Sequence, residues 1–168
     1  EVKNGTLLDY VVPTDVQALY DNAMYFDGVN DRISIDSTIS LTGEFEIEFK
    51  VFFIDVTKDT DIMGNSSNDR IRLRTQGQIR VVINSNSINL NLNSNLENLT
   101  EYTIRIERNG SNLVSLYVDD VLQATDTNAG TLLISDFGAF GIGSSFLNGY
   151  IKDITIEDGG VLSNSYNG

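Results

Sequence analysis

The sequence predicts an all-β fold, a two-sheet antiparallel β-sandwich. Three observations carry that expectation. Apolar and polar residues alternate with period two from Tyr25 onward, polar turns separate the alternating segments at roughly even spacing, and the single proline, Pro13, precedes the first segment. A proline inside a sheet removes a ladder donor, whereas one placed ahead of it costs no hydrogen bond.

The clearest strand lies between Gly43 and Ile54, where Phe45, Ile47, Phe49, Val51 and Phe53 fall on one face and Glu44, Glu46, Glu48 and Lys50 on the other. A half-buried strand requires that pattern, because successive side chains point to opposite faces. The rhythm recurs as Ile71 and Leu73 between Arg70, Arg72 and Arg74, then as Ile79, Val81 and Ile83, then as Ile88, Leu90 and Leu92 between Asn89, Asn91 and Asn93. Next, Tyr102, Ile104 and Ile106 alternate with Thr103, Arg105 and Glu107 ahead of Asn109-Gly110, a turn pair in which both residues tolerate positive φ. The second arm of that hairpin, Val114 to Val118, turns at Asp119-Asp120 into Val121 to Ala124, and two more strands are expected at Phe137 to Ile142 and Tyr150 to Ile156. Only Val16 to Ala23 hints at a short helix.

Composition bounds the function. At 168 residues with 40% hydrophobic residues the chain is long enough to bury a core of its own. We divide it into 1–24, an N-terminal extension or edge segment; 25–160, the sandwich; and 161–168, a tail or the start of a linker. Glu1 in place of Met and the loop-like final residues suggest a module of a larger protein. With no cysteine there is no disulfide or thiolate site, and with no histidine the usual general base near neutral pH is missing. A net charge of -13 opposes nucleic acid and favours cations such as Ca²⁺. No apolar run reaches the roughly 18 residues of a membrane-crossing helix, so membrane insertion is not expected.

Three segments in order resemble the laminin-G-like family of the concanavalin-like lectin and glucanase jelly rolls. They are Tyr25-Phe26-Asp27-Gly28-Val29-Asn30-Asp31-Arg32-Ile33, the stretch from Glu101 to Leu122 with Leu116-Tyr117-Val118-Asp119-Asp120 near its end, and Phe146 to Ile156. The sequence departs from the family at Glu101-Tyr102, where Trp-His is usual, and at Asp120, where Gly is usual. The resemblance implies a concanavalin-like jelly roll in which Asp153 of the closing strand lies near the opening strand. Asp27, Asn30, Asp31 and Asp153 are therefore a candidate structural Ca²⁺ site, since this ion takes oxygen donors from flexible loops. The alternative is that Asp27 and Asn30 only bond the backbone of their own turn. Asp55, Asp59 and Asp61 form a weaker candidate.

Glu44, Glu46 and Glu48 superficially match the paired carboxylates of glucanases with this fold. The chain has no tryptophan for a sugar subsite, and we read these residues as a solvated strand face. Charge distribution is more informative. Between Arg70 and Arg108 lie six arginines against three acids, although the whole chain is acidic. Strand parity places Arg72, Arg74, Arg80, Arg105, Asn89 and Asn91 outward on one face, with Tyr117 as a stacking residue. Guanidinium forks and amides suit carboxylates, sulfates and sugar hydroxyls. The competing reading pairs the arginines with Glu46, Glu48 and Glu107 across strands.

The expected function is a non-catalytic carbohydrate-recognition or adhesion module of a larger extracellular or virion protein. Its partner would be a glycan, with acidic polysaccharide the favoured class. One alternative is an architectural domain that contacts neighbouring virion or surface-protein subunits; another is a glycoside hydrolase or lyase of the same fold.

Overall fold

The computed structural model describes residues 23–139 and 145–166. Thirteen strands are found there: β1 (Met24–Asp27), β2 (Ile33–Leu41), β3 (Phe45–Phe53), β4 (Thr60–Ser66), β5 (Asp69–Leu73), β6 (Gln78–Ile83), β7 (Asn86–Asn91), β8 (Thr100–Arg108), β9 (Leu113–Val118), β10 (Val121–Thr127), β11 (Leu132–Phe137), β12 (Asn148–Asp158) and β13 (Val161–Tyr166). They form two antiparallel sheets packed as a sandwich. The first runs β1-β12-β3-β8-β9-β10, with β13 also on β12; the second runs β2-β11-β4-β5-β6-β7.

The alternating residues build the core. Phe45, Ile47, Phe49, Val51 and Phe53 of β3 join Ile104 and Ile106 of β8 and Ile151, Ile154 and Ile156 of β12, facing Ile71, Leu73, Ile79, Val81, Ile88 and Leu90 of the second sheet. Each large apolar side chain so buried contributes about 1.5–3 kcal/mol relative to exposure. One guanidinium belongs to this interior. Arg108, 2% exposed, donates to the carbonyls of Leu41, Gly43, Asn128 and Gly130 and lies 4.8 Å from the Phe45 ring centroid. It ties the β2–β3 and β10–β11 connections to the end of β8.

Several sequence expectations shift. The strand expected at 137–142 lies partly outside the described residues; within them β11 runs Leu132–Phe137 and ends where that strand was expected to begin. Gly138 then takes a left-handed φ of 82°, and a Cβ there would overlap the Phe26 ring. The 161–166 stretch, expected as a tail, pairs with β12 as β13. Met24, placed in the extension, opens β1. At the Asn109-Gly110 turn the left-handed residue is Asn112, and Asn109 instead accepts from the amides of Ser111 and Leu113. The Asp119-Asp120 turn has φ of 49° and 63°, so two aspartates hold the conformation for which the family resemblance predicted a glycine. The expected helix at 16–23 lies, apart from Ala23, outside the described residues.

Candidate functional site

The outer face of the second sheet is organised in cross-strand rows. Register places Asp61 opposite Arg72, Arg72 opposite Arg80, and Arg80 opposite Asn89, one residue from each of β4, β5, β6 and β7. Along the same strands, the Arg74 amide donates to the Gln78 carbonyl and Gln78 faces Asn91. Five of the seven expected ligand residues, Arg72, Arg74, Arg80, Asn89 and Asn91, therefore do share one face.

Their environments differ. Arg72 is 8% exposed and Asp61 2% exposed, so this pair is not the open guanidinium the sequence suggested. Arg72 Nε lies 3.0 Å from Asp61 Oδ1 without an aligned N–H, and its Nη2 donates to Ser145 Oγ at 2.9 Å. The Asp61 amide donates to the Ser145 carbonyl at 2.7 Å, so the segment before β12 lies over this pair. Burial pushes the Asp61 carboxyl up to about 6, against the opposing pull of Arg72 and Arg70. Arg70 reaches the same carboxylate at 3.7 Å, and Arg74 pairs with Asp59 at 3.0 Å.

Arg80 is different. Its Nε donates to Asn89 Oδ1 at 2.7 Å, and among the described residues no carboxylate lies within ion-pair distance of it. Burial, then the charges of Arg74 and Arg72, lower its pKa, against a weaker opposing pull from Asp59. A guanidinium crowded by like charges and lacking a carboxylate partner attracts an external anion.

Arg105 and Tyr117 lie elsewhere, because β8 and β9 belong to the first sheet. Parity fixes which face of a strand a residue occupies but not which sheet the strand joins. Arg105 stacks 3.9 Å from the Tyr117 ring centroid and reaches Glu107 at 2.9 Å, Glu46 at 3.6 Å and Glu48 at 3.8 Å. Tyr117 donates its hydroxyl to Glu107 at 2.7 Å. For Arg105 the cross-strand charge ladder is what forms, and one face of Tyr117 is already covered. The same ladder occupies Glu46 and Glu48 of the glucanase-like strand.

The four residues proposed for Ca²⁺ are not brought together. Asp27 stands opposite Asn148, five residues of β12 from Asp153, or about 16 Å at strand rise. Asp27 accepts from the amides of Val29 and Asn30, and Asp31 accepts from the Asp27 amide. Asp153 is bonded to Lys50 at 2.8 Å. The turn bonds account for these carboxylates, and the separation does not fit one ion. Asp55, Asp59 and Asp61 are likewise engaged, by Thr57 and Lys58, by Arg74, and by Arg72. Among the described residues no group of three or more acidic side chains is placed to hold a metal.

A depression of about 550 Å³ adjoins the arginine rows, lined by Thr57, Thr75, Gln76, Gly77, Gln78, Asn91 and Asn95. Three connections meet there, tied by Leu92 N to Gly77 O, Leu96 N to Gln76 O and Leu99 N to Phe53 O. Of its lining only Asn91 was singled out from the sequence. Gln78 could have been found by its parity with Arg80; Asn95 and Thr57, in loops, carry no periodic signal.

Neither a family model nor a curated protein matches the sequence. Solved structures do. A native heptameric SAP-like pentraxin from Limulus polyphemus is 12% identical over 80% of this chain and 74% of that one, with a TM-score of 0.62. Domains LG4-5 of the mouse laminin α1 chain are 12% identical over 84% of this chain and 42% of that one, at 0.59. Domain 4 of AbnA, an extracellular arabinanase from Geobacillus stearothermophilus solved with arabinotriose, is 15% identical over 86% and 72%, at 0.60. At these identities the likeness is one of fold, and the fold is the laminin-G-like, concanavalin-like jelly roll.

Proposed function

We propose that this chain is a non-catalytic carbohydrate-recognition module of a larger extracellular or virion protein, and that it binds acidic polysaccharide on the outer face of β5, β6 and β7. One observation carries this reading: among the described residues Arg80 has no carboxylate within ion-pair distance, while Arg72 and Arg74 beside it pair with Asp61 and Asp59. On a chain of net charge -13 this is a place where an anion meets positive potential. Asn89 and Asn91 add amides suited to hydroxyls. A domain of the same fold in the arabinanase was solved with arabinotriose, which supports a saccharide ligand. No catalysis is assigned, since Glu46 and Glu48 are both drawn to Arg105.

The test is calorimetric titration with a tetragalacturonate probe, comparing the natural chain with Arg80→Gln. The substitution should weaken binding by roughly tenfold, as expected for a charge-assisted hydrogen bond, and binding should fall as salt shortens the Debye length below about 10 Å. Salt-independent binding that survives the substitution would sink the proposal.

A second reading, contact with neighbouring virion or surface-protein subunits, is favoured by exposed apolar residues on the outermost strands of the first sheet, Val161 and Leu162 on β13 and Val121 and Leu122 on β10. Self-association in sedimentation that Leu162→Lys or Leu122→Lys abolishes would support it.

A further inference from the structure

Resting on the acidic-glycan reading, we infer that the depression beside the arginines is a second subsite selecting an uncharged sugar unit, so that the preferred ligand alternates acidic and neutral residues along its chain. The inference follows from what the two neighbouring surfaces contain. Arg80 supplies a guanidinium; the depression, about 550 Å³, is lined by hydroxyl and amide side chains and one glycine, without a charge. The two are adjacent in register. Gln78 and Arg80 are two residues apart on β6, and their partners Asn91 and Asn89 are two apart on β7. That offset is about 6.6 Å at strand rise, on the order of one sugar unit. A saccharide chain with its anionic group on Arg80 places its next unit over Gln78 and Asn91.

That neighbouring unit must be neutral. A carboxylate entering the depression would shed water, and the adjoining cations are already engaged, Arg74 beside Gln78 by Asp59 and Lys58 by Asp55, so burying that charge is costly. The nearby acids sharpen the exclusion. Asp55 is bonded to the Thr57 amide and hydroxyl at 2.9 and 2.6 Å, and Asp59 holds Arg74. Hydroxyls and amides of a neutral sugar, by contrast, find matched donors and acceptors in Gln76, Gln78, Asn91 and Asn95.

The depression is also built rather than incidental. Thr75, a β-branched residue, is held at a left-handed φ of 56°, which such side chains rarely adopt. A Cβ at Gly77 would come within 2.7 Å of Asn95 Oδ1, so the Asn95 side chain packs directly over Gly77. Gln78 donates to Asn91 Oδ1 at 2.7 Å, which fixes both amides on the side facing the depression.

The experiment compares two probes of equal length by calorimetry: a tetrasaccharide alternating N-acetylglucosamine and glucuronate, and tetragalacturonate. The natural chain should bind the alternating probe at least tenfold more tightly. The double substitution Gln76→Ala/Asn95→Ala, at exposed loop positions that line the depression, should erase that preference while leaving tetragalacturonate affinity within twofold. Arg80→Gln should weaken both probes together. Equal affinity of the natural chain for the two probes, or a preference that survives the double substitution, overturns the alternating subsite and leaves the acidic-glycan reading intact. Failure of both probes to bind at millimolar concentration overturns both readings. An unchanged thermal unfolding curve for the double variant excludes misfolding as the source of its effect; should it unfold, Asn95→Ser provides the same comparison with a smaller change.

Discussion

The two outer faces of the sandwich carry the same kinds of residue and put them to opposite use. On the first sheet Arg105 is enclosed by Glu46, Glu48 and Glu107, with Tyr117 against it, and Lys50 and Lys152 are matched by Asp153 and Glu101. Its positive charges are answered within the chain. On the second sheet Arg72 and Arg74 pair with Asp61 and Asp59, whereas Arg80 is bonded to the side-chain amide of Asn89. An arginine on a strand face is thus uninformative until its cross-strand partners are known, and the face proposed for an external ligand is the one that carries Arg80.

The largest effect expected from this contrast concerns Asp61. Its carboxyl titrates near 6 in the folded chain against an ordinary value of 3.8. The folded protein therefore binds this proton more tightly than the unfolded one. The resulting stability is fully present below about 4 and is lost as pH rises through about 6. The difference is on the order of 3 kcal/mol. Denaturant unfolding of the natural chain and Asp61→Asn between pH 4 and pH 7.5 isolates it. The variant should be no less stable at pH 7 and should lack this part of the pH dependence. Identical pH profiles would show that the buried carboxylate is not the source.

Smaller effects separate the two faces directly. Arg80→Gln is expected to leave unfolding unchanged to within about 0.5 kcal/mol, as for an exposed substitution, while lowering affinity for an anionic saccharide roughly tenfold. Arg105→Gln should do the reverse on a smaller scale: a loss of stability within about 1 kcal/mol, the range of exposed ion pairs, and no change in saccharide affinity. If Arg105→Gln weakens binding as much as Arg80→Gln, the distinction between the faces fails.

Much of this architecture was legible because alternation reports a strand with one wet face. Residues 45–53, 79–83 and 102–107 read correctly for that reason. Strand β4 did not, since Thr60, Asp61, Ile62, Met63 and Gly64 are all buried and both faces are covered, which removes the alternation. Asp61, the residue that commits Arg72, was for the same reason considered only as a loop carboxylate. The arginines were found by parity, but the separation of Arg105 from Arg80 depends on sheet membership, a property of long-range pairing that no local pattern encodes. The grouping of Asp153 with Asp27, Asn30 and Asp31 does not form: Asp153 lies on the strand that pairs with β1, but five residues along it from the partner of Asp27.

Strands β1 and β13 lie end to end along one edge of β12, with Met24 opposite Ile151 and Tyr166 opposite Ile154. Three residues of β12 separate those partners, about 10 Å. Both strands run antiparallel to β12, so the start of β1 and the finish of β13 face each other across that short interval. The described chain therefore opens and closes on one strand, and a change that loosens β12 would release its first and last strands together.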